Sequence, residues 1–321
     1  MRHRFPRISL GFIYQRYQSS SGRRPANVPV KIADSLFRKI QFERVLSLDG
    51  EWVRSQVLRF FNKDTPFGDL TTKSFIPPEK TAEAQIIAGE TCVFAGAELL
   101  KHCFNDITEL DITVNDGERV EVGKSIASLR GSARNILMRE RVVLNLLQHL
   151  SGIATNVQKY VDIPSPEGFM ILDTHKTTPE LYLLEKYAVA AGGGHNRLSS
   201  TMLIKDNHIT ASGGLQNAEA FARSTHPKVP VELEVQTMEQ IKEAREIGLD
   251  GFLLDNMTPE EVKKCVTLIR SFPSGESVFI EASGGIILET LSDYVWTGID
   301  AVSIGELTTH SRRIHLKIDF K

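Results

Sequence analysis

The chain has 321 residues and a nearly balanced charge, with 38 lysine and arginine residues against 40 aspartate and glutamate residues. This balance gives no support to nucleic-acid binding or to a role at a membrane surface. No apolar run approaches the ~20 residues needed to span a bilayer, and the three scattered cysteines argue against a disulfide framework or a zinc site. Because single cores stop growing near ~250 to 300 residues, we expect one large domain and a smaller lobe.

The amino terminus has a composition of its own. Residues 1–33 contain six arginines and several serines, and the first acidic residue is Asp34. This composition is typical of a mitochondrial presequence. We therefore interpret residues 1–30 as a presequence, which predicts a mitochondrial protein; the alternative is a disordered basic tail on a cytoplasmic protein.

Helix and strand patterns alternate in the first part of the chain. Glu51–Phe61 has helical spacing, whereas Ala82–Ile87 and Thr91–Ala95 have the pattern of strands. In Asp64–Thr72, proline and glycine interrupt any regular element, which favours a structural loop over a catalytic role for its aspartates. Between Arg139 and Ile153 the apolar residues recur at intervals of three and four, which predicts a helix with one buried face.

From residue 165 onward a unit of one strand and one helix repeats. Six apolar runs alternate with helical patterns, and this alternation predicts parallel strands joined by helices. Units of ~20 to 30 residues fit an α/β barrel better than an open doubly wound sheet, although spacing alone leaves both open. The runs are Phe169–Leu172, Met202–Ile204, Val231–Val235, Phe252–Leu254, Val278–Ile280 and Ala301–Ile304.

Two lysines follow two of these runs closely. Lys176 comes after Phe169–Leu172, and Lys205 comes directly after Met202–Ile204. In a sheet of parallel strands, both lysines would lie at the same end of the fold. Two ammonium groups that face one space can bind an anion carrying carboxylates or phosphates, so the pattern predicts an anion-binding site.

Several segments resemble the quinolinate phosphoribosyltransferase family. They occur in the family's order and together span about residues 45–321. The segments are RVVLNLLQHLSGIAT at 141–155, DTHKTTP at 173–179, LEKYAV at 184–189, the triple glycine at 192–194, LIKDNH at 203–208, EASGG at 281–285 and SIGELTTH at 303–310.

The resemblance implies both a fold and a reaction. The fold is α/β, with an incomplete TIM-like barrel over residues 156–306, an N-terminal α/β sandwich lobe with a linking helix over 31–155, and a segment over 307–321 that packs back on this lobe. The reaction is transfer from 5-phosphoribosyl 1-pyrophosphate to quinolinate with decarboxylation, giving nicotinate mononucleotide, CO₂ and pyrophosphate. Mg²⁺ would accompany the pyrophosphate substrate, and no organic cofactor is implied. A homodimer or higher homo-oligomer with shared sites follows, in which Arg141 grips a quinolinate carboxylate in the partner's site.

Acidic residues are expected at the same strand ends. In Val231–Val235 the period of two places Glu232 and Glu234 on one face, where they would need partners such as the two lysines. Structural ion pairing alone explains these carboxylates equally well. Asp255 follows the next apolar run and adds an acid to the same edge. Such carboxylates can accept ribose hydroxyls or hold Mg²⁺, which prefers oxygen ligands.

Two glycine-containing turns follow the last two runs. Glycine at the start of a helix lets backbone N–H groups approach an anion, so both turns are candidates for one phosphate. By resemblance, Lys176, Lys205, Glu234 and Asp255 are the catalytic residues, with Glu234 and Asp255 also holding the metal. The same four residues belong to the expected substrate-binding set, whose other members are Arg141, Thr174, His175, His195, Arg197, Ser283, Gly284, Gly285, Ser303 and Gly305.

The chain departs from the family pattern at residues expected to bind quinolinate, the acceptor of the phosphoribosyl group. His175 stands where the family has arginine, and a mostly neutral histidine predicts weaker dicarboxylate binding. The segment after the triple glycine is about three residues short, so Arg197 stands in for the family's arginine and His195 for its histidine. Glu180 and Tyr182 replace the usual glycine and arginine.

These departures leave alternatives to the active enzyme. One is a catalytically impaired paralogue that acts as a structural subunit or binds phosphoribosyl ligands. Another is a related transferase with a different acceptor. The retained lysines, acids and glycine turns, on which substrate positioning depends, favour the active enzyme.

Overall fold

In a computed structural model, residues 39–104 and 109–321 are described, so the predicted presequence at 1–30 lies outside the described part. The first nine elements form the N-terminal lobe and the long helix that follows it. They are α1 Gly50–Asp64, α2 Leu70–Phe75, β1 Thr81–Ala88, β2 Cys92–Val93, α3 Ala97–Cys103, β3 Glu109–Ile112, β4 Arg119–Val120, β5 Ser125–Ser132 and α4 Ala133–Val161.

Aspartates begin both of the first two helices. The Asp49 carboxylate accepts a hydrogen bond from the Trp52 backbone N–H at 2.8 Å, and Asp69 accepts one from Thr72 N–H at 2.9 Å. These bonds satisfy donors that a helix leaves unpaired at its first turn. The segment predicted as a loop therefore contains the start of a short helix, and Asp69 has the structural role that was favoured for it.

Four antiparallel strands form the main sheet of this lobe. Their order is β12-β1-β5-β3, in which β12 is Leu316–Phe320 near the carboxyl terminus. Ile86 of β1 lies opposite Ile318 of β12, so the end of the chain pairs with the first strand of the lobe. The buried face of α4 packs on this sheet and contains the apolar positions that predicted the helix.

The second part of the chain contains the repeated strand and helix units. Each strand overlaps one of the six predicted runs, and β7 and β8 have the predicted bounds. The elements are β6 Met170–Leu172, α5 Tyr182–Ala191, β7 Met202–Ile204, α6 Asp206–Ser212, α7 Leu215–Thr225, β8 Val231–Val235, α8 Met238–Ala244, β9 Gly251–Asp255, α9 Pro259–Arg270, β10 Phe279–Ser283, α10 Leu291–Val295, β11 Ala301–Ser303 and α11 Glu306–Thr309.

The order of these strands identifies the architecture. The sheet runs β6-β11-β10-β9-β8-β7, and every pair in it is parallel. The first strand in sequence lies beside the last, which is the cyclic order of a barrel and has no reversal of the doubly wound kind. Within the described residues β6 and β7 do not pair with each other. This confirms the expected incomplete barrel.

The barrel interior changes from apolar to charged along its axis. Ile40 and Phe42 pack against Phe279 and Ala301, the first residues of β10 and β11, and the same apolar cluster includes Leu172 of β6. Buried charged residues occupy the next layer. No helix in residues 39–104 and 109–321 is both long and apolar enough to cross a membrane.

Candidate active site

A cavity of about 190 Å³ opens at the carboxyl ends of β6, β10 and β11; we call it the rim cavity. The strand register brings its walls together, because Leu172 pairs with Ser303 and Ser303 pairs with Ser283. The lining residues are Thr174, Lys176, Ser283, Gly284, Gly285, Ile286, Ile287, Ser303, Gly305, Glu306, Thr309 and His310. The cavity therefore contains Lys176 and both of the predicted glycine turns.

The first glycine turn, at Gly284 and Gly285, has a backbone conformation that residues other than glycine rarely adopt. Gly284 and Gly285 have φ angles of 88° and 66°, in the left-handed region. A Cβ on Gly284 would lie 2.3 Å from Asn256 Oδ1, so a side chain there would also clash. The expected helix does not follow this turn directly, because α10 begins only at Leu291. The exposed backbone of the turn, and not a helix terminus, faces the cavity at this wall.

The second glycine turn does lead into a helix. Gly305 immediately precedes α11, a helix of four residues. A Cβ on Gly305 would lie 3.2 Å from Lys176 Cδ, so glycine leaves room for the lysine chain to lie across this turn. The Thr308 hydroxyl donates a 2.7 Å hydrogen bond to the Lys176 carbonyl. These contacts hold Lys176 over the second turn.

Lys205 and Glu234 form the ion pair predicted at the neighbouring strand ends. Ile204 pairs with Leu233, so the residue that follows each of them lies at the same level. Lys205 Nζ lies 3.1 Å from Glu234 Oε2, and the two side chains are 50% and 18% exposed. Both residues lie outside the rim cavity, further round the same edge of the barrel.

Asp255 lies between this ion pair and the rim cavity. It ends β9 opposite Ser283, which lines the cavity. Its Oδ2 accepts hydrogen bonds from Asn256 Nδ2 at 2.7 Å and from Gln236 Nε2 at 3.4 Å. Both donors are neutral amides, so the negative charge of Asp255 is held in place without being neutralised.

A buried charged cluster lies beneath the rim, and it changes the expected role of Arg197. Arg197 Nη1 donates to Glu232 Oε2 at 3.0 Å, and Nη2 donates to Glu281. The Glu281 Oε1 atom accepts a 2.6 Å hydrogen bond from the Ser303 hydroxyl. All four residues are at most 5% exposed. Burial and the neighbouring Glu232 raise the pKa of Glu281 to about 8, against the opposing effect of Arg197.

In this geometry the Arg197 guanidinium is not free to bind an acceptor, so its ligand role stays a prediction that these contacts do not support. Both arms of the guanidinium are engaged by carboxylates inside the barrel, so Arg197 presents no free fork to an acceptor. The Ser303 hydroxyl points to Glu281, and only the rest of the residue lines the rim cavity. Glu232 also pairs with Arg197 and not with either lysine that was expected as its partner.

Lys186 is a structural residue that was not predicted. It is completely buried, and its Nζ donates to Asp173 Oδ1 at 2.7 Å and to the carbonyls of Thr174 and Arg197 at 3.0 Å each. Asp173 also accepts from Asn196 Nδ2 at 2.8 Å. The lysine thus ties the segment after β6 to the segment before β7. A single lysine within the apolar run LEKYAV was the available signal.

Family models for both parts of the chain match. The model of the quinolinate phosphoribosyl transferase N-terminal domain matches residues 69–151, and the model of its C-terminal domain matches residues 153–319. The chain belongs to the quinolinate phosphoribosyltransferase family. A Bacillus subtilis relative, named probable nicotinate-nucleotide pyrophosphorylase (carboxylating), is 40% identical over 267 residues, which cover 81% of this chain and 90% of the relative.

Solved structures of relatives agree with the fold. The chain is 34% identical to NadC from Streptococcus pyogenes, with a TM-score of 0.78 over 86% of this chain and 98% of that one. The nicotinate-nucleotide pyrophosphorylase of Francisella tularensis is 28% identical, with a TM-score of 0.79 over 88% of this chain and 100% of that one. A Nicotiana glauca relative, named quinolinate phosphoribosyltransferase (decarboxylating) 2, mitochondrial, is 35% identical over 280 residues, covering 78% of each chain. The expected family and fold are confirmed.

Two positions that depart from the phosphoribosyltransferase pattern contact each other. The rings of His175 and Tyr182 are parallel within 5°, with centroids 6.3 Å apart. Burial, together with the charges of Lys186, Arg197 and Lys205, lowers the pKa of His175 below its usual value. The imidazole is therefore mostly neutral at pH 7, and His175 and Tyr182 form an aromatic pair at two positions where the family pattern has arginine.

The remaining two predicted residues of this phosphoribosyltransferase lie away from the rim. His195 lines a second cavity behind β6, so its expected place among the acceptor ligands stays a prediction. Arg141 is exposed on α4. Arg141 does not line the rim cavity of its own chain, so its expected role depends on a partner subunit.

Proposed function

We propose that the protein transfers the phosphoribosyl group of 5-phosphoribosyl 1-pyrophosphate to quinolinate, with release of pyrophosphate and CO₂, in NAD biosynthesis. The observation that carries this proposal is the rim cavity, which combines Lys176 with two glycine turns. The Lys205–Glu234 pair and Asp255 lie along the same edge of the barrel. Relatives that are 34–40% identical are named for this activity, and nothing in the comparisons favours an inactive paralogue.

The rim cavity suits the negatively charged 5-phosphate of 5-phosphoribosyl 1-pyrophosphate, the donor substrate. Backbone N–H groups at Gly284, Gly285 and Gly305 can donate to phosphate oxygens, and the Lys176 ammonium supplies a counter-charge. No ion pair within the described residues occupies Lys176, so its charge is available to a ligand. Asp255 can then accept a ribose hydroxyl just outside the cavity.

The reaction needs positioning and charge stabilisation from this site. The quinolinate ring nitrogen forms a bond to the anomeric carbon while the bond from that carbon to pyrophosphate breaks. The ring nitrogen becomes cationic, and it stabilises the electron pair left on the neighbouring ring carbon when the carboxylate on that carbon leaves as CO₂. That carbon then takes up a proton from water, which gives nicotinate mononucleotide. Lys176 and Lys205 stabilise the anionic groups during these steps, and no covalent enzyme intermediate is required.

We propose that Mg²⁺ arrives with pyrophosphate and is held by Asp255, with Glu234 as a second ligand. Asp255 fits this role because its present partners are neutral amides. Glu234 fits only when Lys205 moves to the substrate, since the two are paired here. Mg²⁺ typically uses one or two carboxylates together with substrate phosphates, and the bound ion would neutralise pyrophosphate charge.

Release of ¹⁴CO₂ from carboxyl-labelled quinolinate tests the proposed function directly. Purified protein should release CO₂ only when both 5-phosphoribosyl 1-pyrophosphate and Mg²⁺ are present, with nicotinate mononucleotide formed in equal amount. Absence of turnover, with retained binding of 5-phosphoribosyl 1-pyrophosphate by calorimetry, would contradict it. Turnover with nicotinate but not with quinolinate would reassign the acceptor.

Replacing His175 by arginine is expected to lower the KM for quinolinate about tenfold, because a charge-assisted bidentate hydrogen bond contributes roughly 1.5–3 kcal/mol. The KM for 5-phosphoribosyl 1-pyrophosphate should stay within twofold. Steady-state kinetics at pH 7.5 measure both constants. His175→Gln is the control, because it keeps a neutral donor and should leave both constants unchanged. An unaltered quinolinate KM in His175→Arg would remove His175 from the acceptor site.

The pKa of His175 also gives the wild-type enzyme a pH dependence. Because this pKa lies below the ordinary value of 6.5, the imidazole gains its charge only in acid. The KM for quinolinate should therefore fall only as the pH decreases below 6.5. In His175→Arg this decrease in the quinolinate KM at low pH should disappear, since arginine remains charged over the whole pH range.

We propose that the active unit is a homodimer in which Arg141 of one subunit enters the site of the other. The exposed position of Arg141 on α4 supports this arrangement. Arg141→Ala and Lys176→Met are each expected to lose most activity alone. When the two inactive variants are mixed, exchanged dimers contain one intact site, so about a quarter of wild-type activity should return. No recovery after confirmed subunit exchange would contradict a shared site.

We also propose that residues 1–30 direct the protein to mitochondria. The arginine-rich and acid-free composition supports this, as does the mitochondrial name of the Nicotiana glauca relative. Intact mass measurement of the protein purified from mitochondria should show loss of a segment near this length. An uncleaved chain found in the cytosolic fraction would overturn the proposal.

A further inference from the structure

Residues 174–178 lie between β6 and α5 and carry His175 and Lys176 of the proposed active site; we call this segment the lysine loop. It is neither helix nor strand. Among the described residues, no backbone–backbone hydrogen bond joins the lysine loop to another strand or helix. Side chains from elsewhere in the fold therefore determine where its backbone lies, and with it the position of the Lys176 ammonium group.

Three hydrogen bonds with such side chains hold the backbone of the lysine loop. Lys186 Nζ donates to the Thr174 carbonyl at 3.0 Å at its start, and the Thr308 hydroxyl donates to a carbonyl in its middle. At its end, the Thr178 backbone N–H donates to Glu185 Oε2 at 3.1 Å. Glu185 and Lys186 are consecutive residues of α5, so this helix holds both ends of the loop.

Glu185 is an unusual residue for its place in the fold. It is completely buried, beside the buried residues Leu184 and Tyr187 of the same helix. Its Oε1 atom lies 2.8 Å from Nε2 of His149 on α4. Burial of a carboxylate is costly even when it is paired and hydrogen-bonded, and an apolar side chain of similar volume is often at least as stabilising. Packing alone would therefore favour an apolar residue at this position.

Stabilisation of the start of α5 is one explanation for a buried acid here. An acidic residue in the first turn of a helix interacts favourably with the unpaired N–H groups of that turn. Within the described residues, however, the hydrogen-bonding partners of Glu185 are the Thr178 N–H, which precedes α5, and His149. The carboxylate is thus directed at the lysine loop and at α4, and not at the N–H groups of its own helix.

We propose that Glu185, supported by His149, is a positioning residue that holds the lysine loop where Lys176 meets 5-phosphoribosyl 1-pyrophosphate. This role rests on the proposed function. Without the bond to Thr178, the loop would occupy its present position only part of the time. The apparent affinity for a ligand falls with the fraction of protein in the competent state, whereas saturating ligand restores that state. Loss of Glu185 should therefore raise the KM for this substrate and leave kcat unchanged, whereas loss of Lys176 itself should lower kcat.

Glu185→Met tests this role, because methionine keeps the length of the side chain and removes the acceptor of the Thr178 N–H. Hydrogen–deuterium exchange of the amides at 174–178 should become about fivefold faster, with exchange in β9 and β10 unchanged, and the KM for 5-phosphoribosyl 1-pyrophosphate should rise about fivefold. Glu185→Gln keeps an oxygen that can accept the same bond and should restore both values. Glu246→Met is the matched control, because the Glu246 side chain is 91% exposed; it should change neither value.

Unchanged exchange of the lysine loop in Glu185→Met would overturn the positioning role. Faster exchange with an unaltered KM would also overturn it, because Glu185 would then be only structural. If Glu185→Met does not fold, His149→Leu removes the support of the carboxylate and should still speed exchange of the loop; unchanged exchange there would overturn the role. The exchange measurement needs no substrate. If the protein shows no turnover, the calorimetric Kd for 5-phosphoribosyl 1-pyrophosphate replaces KM, so failure of the proposed reaction is distinguishable from failure of the positioning role.

Discussion

Replacing Lys176 by methionine is expected to lower kcat/KM for nicotinate mononucleotide formation by about 10²- to 10³-fold, the usual loss when one charge-stabilising donor is removed from an active site. Lys176 lines the rim cavity and lies across the turn at Gly305. Methionine keeps most of the length of the side chain and removes the charge. The KM for 5-phosphoribosyl 1-pyrophosphate should rise and kcat should fall, because the lysine contacts the substrate and stabilises charge that develops on the leaving group.

The stability of the same variant should be nearly unchanged. Lys176 is exposed and makes no ion pair within the described residues, and such substitutions usually stay within about ±0.5 kcal/mol. Urea unfolding followed by circular dichroism measures this. Lys264→Met is the control, because Lys264 is exposed on α9; it should retain full activity. A loss of activity below fivefold in Lys176→Met would show that the rim cavity is not the phosphate site.

The strands and their carboxyl-end residues could be predicted because both depend on local patterns. Apolar runs of the right length predicted all six barrel strands, and the residues directly after Ile204 and Leu254 proved to share one edge. Parallel strands put their ends together whatever the details of the helices between them. The pairing of Lys205 with Glu234 followed from this rule and from the period of two in β8.

The roles of His195 and Arg197 could not be predicted in the same way. Neighbouring residues of an extended segment point to opposite sides, so a displacement of one position exchanges inside and outside. Because the segment after the triple glycine is shortened, the sequence did not determine which of its side chains point into the barrel. The partners of Arg197 come from β8 and β10, 35 and 84 residues away. Only the folded barrel shows that both acids meet this guanidinium.

The Arg197 cluster shows why a family arginine can change its role. Two carboxylates in an apolar barrel are strongly unfavourable unless a cation lies between them. Arg197 meets this need, and its side chain also lies over the ring of Phe42, with Cζ 5.1 Å from the centroid. In the proposed reaction, quinolinate binding would then depend on Lys176, Lys205 and His175. We therefore expect the arginine to affect folding far more than substrate affinity.

Replacing Arg197 by methionine should destabilise the protein by about 3–5 kcal/mol at pH 7.5, the range found when one partner of a buried ion pair is removed. Methionine fills most of the space and removes the charge and the hydrogen-bond donors that Arg197 directs at Glu232 and Glu281. Equilibrium unfolding in urea measures the loss. Arg54→Met is the control, since Arg54 is exposed on α1 and should change stability by less than about 0.5 kcal/mol.

The loss of folding stability in Arg197→Met should depend on pH. The protonation of the buried acids determines whether it increases or decreases as the pH rises. The folded-state pKa of Glu281 is raised from 4.5 to about 8, so between these values the folded state holds the extra proton. Its contribution to stability is present at low pH and is lost as the pH rises toward 8. Removing Arg197 raises the pKa of Glu281 further, because the cation that stabilises its charged form has gone. The loss in Arg197→Met should therefore be smaller at pH 6 than at pH 9, because only above pH 8 does the wild-type Glu281 lose its proton while Arg197 stabilises the charged form. A loss of equal size at both values would show that these carboxylates do not carry the effect, and a raised quinolinate KM without loss of stability would restore Arg197 to the acceptor site.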